Sequence, residues 1–214
     1  MKKDIFLVDF DDSLIATTNF LVHIYNQVTT DQVDIKDFIE METWRLVPRY
    51  GKLMSEIVDA IVDDPTMIPP IPGATEFLEY LFDRKDTQII ILTKRYYAQV
   101  IYDYLKEQIN PKNWNDKRIR VVFVEKSAQK ALLEQRIDTQ KYNLHLFDDR
   151  LPVHEAFSKL TTAWMWHCPW NDRTIFRYNG NGGARFHYYN DLHEVVKKLE
   201  NNQFMPSKTD HTHP

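Results

Sequence analysis

Five short apolar runs constrain this chain most: Asp4–Asp9, Gln88–Thr93, Arg120–Val124, Asn143–Phe147 and Thr162–Trp166. Each is long enough for a strand and too short for a stable helix, and nearly continuous apolarity marks a strand covered on both faces. Segments of helical periodicity lie between most of them. Thr75–Phe82 places Phe77, Leu78, Leu81 and Phe82 on one face. Tyr97–Ile109, Ala128–Ile137 and a closing Asp191–Leu199 follow the same period. Strands alternating with helices require right-handed crossovers, so the pattern predicts an α/β fold with a Rossmann-like, doubly wound parallel sheet.

The alternation is broken once. Between Ile15 and Ile71 no run reads as a strand, and three helical pieces are expected instead: Thr18–Val28, Ile35–Leu46 and Lys52–Val62. Pro65, Pro69, Pro70 and Pro72 mark the return path, with Gly73 before the next helix. The expected organisation is a catalytic core of residues 1–14 and 72–200, a small helical cap of residues 15–71 inserted after the first strand, and a flexible tail, 201–214. Such an insertion would sit over the C-terminal edge of the sheet, where open α/β folds bind ligands.

A chain of 214 residues suits one core with an insertion. Its net charge of -4 lacks the basic footprint that a duplex nucleic acid demands. Cys168 is the single cysteine, which rules out an intrachain disulfide and suits a reducing, cytoplasmic setting. No membrane-spanning stretch is expected.

The chemistry is carried by the run ends. Ile5-Phe6-Leu7-Val8 leads directly into Asp9-Phe10-Asp11-Asp12, and Leu144-His145-Leu146-Phe147 into Asp148-Asp149. Like charges repel when brought together, so a fold that gathers carboxylates needs a cation or uses a carboxylate chemically. Two acidic strand tips far apart in sequence point to one Mg²⁺ site. Asp9 is a competent nucleophile toward phosphorus, and Asp11 is placed to protonate the leaving oxygen and later activate water. Thr93 ends the second run and can donate to a phosphoryl oxygen. Lys126 follows the third run and can hold nucleophile and phosphate together as a point charge. Lys130, one turn later, competes for that role, and Lys126 is preferred for lying nearer the strand tip. Asp9, Asp148, the backbone carbonyl of Asp11 and, directly or through water, Asp149 form the expected metal shell. Asp12 and Ser13 also suit a helix N-cap.

In order, the tips carry DFDD, Thr, Lys and DD, which resembles the haloacid dehalogenase-like hydrolase superfamily. That resemblance implies a nucleophile at Asp9, a general acid/base at Asp11, a phosphate-binding hydroxyl at Thr93, a lysine at Lys126 and an acidic metal motif at Asp148 and Asp149. It covers the whole core, and the insertion resembles the family's helical cap of the first type. Asp12 stands where the family often has Gly, and Ser13 where it often has Thr. Phe147-Asp148-Asp149-Arg150 and Cys168-Pro169-Trp170-Asn171 look like the 5'(3')-deoxyribonucleotidase branch, although the Tyr178–Gly183 stretch departs from it.

The expected activity is Mg²⁺-dependent phosphomonoester hydrolysis through an aspartyl-phosphate, with a small phosphorylated substrate and, by the finer resemblance, a (deoxy)nucleoside monophosphate. Phe20, Trp44 and Tyr50, with Arg45 and Arg49, are the cap residues available to a nucleobase, and for each aromatic the competing reading is packing between cap helices. Trp164 and Trp166 are expected in the core. Another small metabolite or a nucleic-acid end is the rival substrate, and a non-catalytic binding module on the same fold is the rival class.

Overall fold

The computed structural model describes residues 2–30, 32–35, 51–62, 64–125, 127–157, 161–168 and 186–201. Its centre is a six-stranded sheet in the order β3-β2-β1-β4-β5-β6. The strands are β1 (Lys3–Asp9), β2 (Thr87–Thr93), β3 (Ile119–Phe123), β4 (Tyr142–Phe147), β5 (Thr162–Trp166) and β6 (Phe186–Tyr189). Every neighbouring pair is parallel. This is the doubly wound order in which β1 sits at the centre and the winding reverses beside it.

The helices are α1 (Thr17–Val28), α2 (Gly51–Val62), α3 (Ala74–Asp83), α4 (Ala98–Tyr104), α5 (Ser127–Gln135), α6 (Leu151–Ala156) and α7 (Leu192–Glu200). They cover both faces of the sheet because alternate strand residues point to opposite sides. Phe6 and Val8 of β1 join the larger core with Phe77, Leu78 and Leu81 of α3, Ile101 of α4 and Val195 of α7. Ile5 and Leu7 face the other way, into a smaller core with Leu146 and with Val153 of α6. Trp164 and Trp166 are buried as expected, and Trp164 stacks on Phe147 with ring centroids 5.4 Å apart.

The strands match the apolar runs within a residue at each end. Two elements were not foreseen. The first is α6, whose six residues are too short to show a period, with Pro152 in the first turn where its missing N–H costs nothing. The second is β6, four residues rich in aromatics that pair with β5. The expected single helix Tyr97–Ile109 changes character midway: α4 gives way to a wider, π-helical turn over Leu105–Ile109, closed by Asn110 at φ 49°. The expected helix Ile35–Leu46 lies outside the described residues beyond Ile35, as does the tail from residue 202.

The chain leaves the sheet at Leu14–Ala16 and returns at Pro69–Ile71, and these two segments lie side by side. Ala16 N–H donates to the Pro69 carbonyl at 2.9 Å, and Ile71 N–H to the Leu14 carbonyl at 2.8 Å. Between them, α1 and α2 share a core of their own from Leu21, Val22, Tyr25, Val33, Met54 and Ile57. Among the described residues, no helix is long and apolar enough to cross a membrane.

Candidate active site

Val8 of β1 is in register with Phe147 of β4. The next residues, Asp9 and Asp148, therefore leave the sheet side by side at its C-terminal edge. Carboxylate oxygens of Asp9, Asp148 and Asp149 all lie within 4.8 Å of one another, and all three residues are largely buried. Among the described residues, Lys130 answers this charge from the protein side. Lys130 Nζ is 2.9 Å from Asp9 Oδ2 and 2.6 Å from Asp148 Oδ2.

Lys130 is the fourth residue of α5, yet it reaches the strand tips. Side chains on a helix tilt toward its N-terminus, and a four-carbon stem spans the remaining turn. Lys126, the expected lysine, lies outside the described residues. Among the described residues, the lysine that meets the carboxylates is Lys130, its competitor.

The electrostatics follow from burial. Burial pushes the Asp9 carboxyl up to about 7; Lys130 opposes the rise, while Asp148 and Asp11 add to it. Asp149 is raised well above the ordinary carboxylate range by burial, then by Asp148, Asp12 and Asp9. The Lys130 ammonium loses hydration, but Asp148 and Asp9 more than compensate and hold its proton firmly. Three crowded carboxyls thus resist ionising together beside Lys130, a further cation would favour their charged forms, and all the donors are hard oxygens. That set fits Mg²⁺.

Further hydrogen bonds fix Asp148. Asp148 Oδ1 accepts from the Arg150 N–H at 2.9 Å. His154 of α6 lies with Nε2 2.8 Å from the Asp148 carbonyl oxygen, which can only accept, so Nε2 carries the hydrogen. Burial lowers the His154 pKa and keeps the ring neutral.

The other tip residues divide between chemistry and architecture. Asp11 is partly exposed and lies outside the three-carboxylate cluster; its side chain accepts from Thr17 Oγ1 at 2.6 Å and from the Arg95 guanidinium. Its expected metal contact is through the backbone carbonyl, not this carboxylate. Asp12 is buried at φ 53° and accepts from the Thr18 N–H at 2.9 Å and the Thr18 hydroxyl at 2.6 Å. It thus satisfies an orphan donor in the first turn of α1 and acts as a remote cap. Thr93 ends β2, buried, and its hydroxyl oxygen accepts from the Arg95 N–H at 3.0 Å, which leaves the O–H free to donate.

Of the residues expected to meet a nucleobase, Phe20 is half-buried on α1 and packs against the larger core. Trp44, Arg45, Arg49 and Tyr50 lie outside the described residues. Sequence reasoning missed Arg95 and His154. Nothing local distinguishes either from a surface residue, since their partners are 84 and 6 positions away.

No protein-family model matches this chain, and no curated protein matches it. Solved structures do. A haloacid dehalogenase-like family hydrolase from Streptococcus pneumoniae superposes with a TM-score of 0.58 at 12% identity, over 92% of this chain and 98% of the other. A protein from Bacteroides vulgatus provisionally named a beta-phosphoglucomutase gives 0.57 at 12% identity, over 94% and 89%. A haloacid dehalogenase-like hydrolase from Burkholderia xenovorans LB400 gives 0.53 at 16% identity, over 97% and 100%. Likeness at these identities establishes a shared fold, the one the tip motifs anticipated.

Proposed function

We propose that this chain, which has the fold of the haloacid dehalogenase-like hydrolases, is a Mg²⁺-dependent phosphomonoesterase that works through an aspartyl-phosphate on Asp9. One observation carries the reading: Asp9, Asp148, Asp149 and Lys130 converge at the sheet edge where Asp11 and Thr93 also end their segments. The metal would be held by Asp9, Asp148, Asp149 and the Asp11 backbone carbonyl, and when bound it supplies positive charge against the phosphoryl oxygens.

The chain's own residues perform two displacements. An ionised Asp9 oxygen attacks phosphorus, the ester P–O bond breaks, and Asp11 gives its proton to the departing oxygen. Water then attacks the same phosphorus, Asp11 takes the proton back, and the bond to Asp9 breaks. Lys130 opposes the protonation of Asp9 that burial favours and, with the Thr93 hydroxyl, offsets charge on the transferring group. Residues 15–71 act as a cap: α1 and α2 carry their own core, and the paired segments at Leu14–Ala16 and Pro69–Ile71 suit a hinge. The substrate class is a (deoxy)nucleoside monophosphate, on the strength of the Asp148-Asp149-Arg150 motif.

Turnover of 4-nitrophenyl phosphate tests the reaction. Activity should require Mg²⁺ and vanish in Asp9→Asn; equal rates in parent and variant would reject Asp9 as nucleophile. A panel of nucleoside 5'- and 3'-monophosphates against sugar phosphates tests the substrate. A flat profile would remove the nucleotide while leaving the phosphatase.

A further inference from the structure

Every nitrogen of Arg95 makes a hydrogen bond within the protein. Its Nε lies 3.1 Å from Asp11 Oδ2 and 3.3 Å from Oδ1, and its Nη2 lies 2.8 Å from Oδ1. Nη1 donates at 2.9 Å to the carbonyl of Ile61, in the last turn of α2. The backbone N–H of the same residue donates to Thr93 Oγ1. The guanidinium also lies over the Phe10 ring, 5.7 Å from its centroid. With a side chain only 6% exposed, Arg95 is a fixed part of the fold.

Asp11 is the opposite case. It sits on the loop beyond β1, its side chain is 28% exposed, and its described contacts are Arg95 and Thr17. A carboxylate on a loop tip samples several rotamers unless something holds it. An acid/base group needs a fixed position relative to the oxygen it protonates. A guanidinium fork imposes a plane and an orientation that a single ammonium cannot.

We infer that Arg95 is a positioning residue for proton transfer: with Thr17 it grips the Asp11 carboxyl chiefly through Oδ1, so that the protonated form carries its hydrogen on Oδ2 and gives it to the leaving oxygen, the fork then holding the carboxylate left behind, and its bond to the Ile61 carbonyl ties that orientation to the end of α2. The inference rests on the reading of Asp11 as the general acid. No bond to Arg95 forms or breaks in the reaction. It takes up a terminal carbonyl of α2, one of those the helix leaves unpaired, so displacing α2 would also loosen the hold on Asp11.

The alternative is that Arg95 only staples α2 to the sheet edge, and the leaving group separates the two. A 4-nitrophenolate departs with little need of a proton, whereas an alkoxide needs one, and kcat/KM reports on steps through the first chemical cleavage. The experiment measures kcat/KM for 4-nitrophenyl phosphate, phenyl phosphate and glycerol 2-phosphate with Mg²⁺ in the full chain, Arg95→Met and Arg95→Lys. Arg95→Met should widen the ratio between the nitrophenyl and glycerol esters by about ten-fold or more, as loss of general acid catalysis demands. Arg95→Lys, which keeps the charge and loses the fork, should fall between. A proportional fall on all three esters, or no fall, overturns the inference while the parent's activity preserves the phosphatase. If Arg95→Met does not fold, the same ratio in Arg95→Lys decides. A parent inactive on all three removes the general acid role and the inference with it.

Discussion

At the residue scale the site is governed by the cost of burying like charges. Asp9 and Asp149 carry carboxyls raised above their ordinary range, Asp9 to about 7. Between about pH 4 and pH 7 the folded chain therefore holds more protons at these positions than the unfolded chain does. Stability contributed here falls as pH rises through that window. Urea unfolding in the presence of a chelator should show the decline, and saturating Mg²⁺ should flatten it; a stability that rises monotonically across the window would contradict these shifts.

Lys130 is the second residue-scale test. Lys130→Met leaves Asp9 and Asp148 buried without their ammonium, and breaking a buried pair costs roughly 3–5 kcal/mol. The loss should be largest near pH 8 and smaller near pH 5, where the carboxyls can take up protons. Turnover should be lost at both. Lys126→Met, by contrast, should leave most of the activity, and the reverse outcome would make Lys126 the functional lysine.

At the element scale, most of the fold was visible because period and breakers are local properties. The three central tips could be placed from apolar runs ending at Asp9, Thr93 and Phe147, followed by polar residues. The run Phe186–Tyr189 was not placed because its four residues, following the Gly- and Asn-containing stretch, offer no length from which to judge a period. The last helix shows the clearest local signal: Asp191 accepts from the Glu194 N–H at 2.9 Å and caps α7. Asp191→Ala should cost about 1 kcal/mol in urea unfolding and leave kcat unchanged, since the cap serves α7 alone.

At the scale of the whole molecule, the close approach of α3 to α7 depends on one position. Gly73 adopts φ +84°, and a Cβ there would meet the His193 backbone nitrogen at 2.5 Å. Gly73→Ala should be destabilised by more than the about 1–2 kcal/mol of left-handed strain, because the α7 start must also shift. A thermal melt within a degree of the parent would mean that the contact yields freely. Ligand linkage works at this scale too. Mg²⁺ that binds only the folded chain should raise stability by about 2.7 kcal/mol at one hundred times its dissociation constant. Asp148→Asn, which weakens the three-carboxylate cluster, should reduce that increment.

Sequence alone determined the alternation of strands and helices in the core and the residue types at the central strand tips. These follow from apolar period and the rarity of clustered carboxylates, both of which are written locally. Only the tertiary structure decided which residues meet. Parallel register set Asp9 beside Asp148, the lean of side chains on α5 brought Lys130 to both, and the pairing of β1 with β2 brought Arg95 to Asp11. The pairings between strands depend on chain paths that cross the sheet, and no local pattern records where a side chain from a distant segment will end.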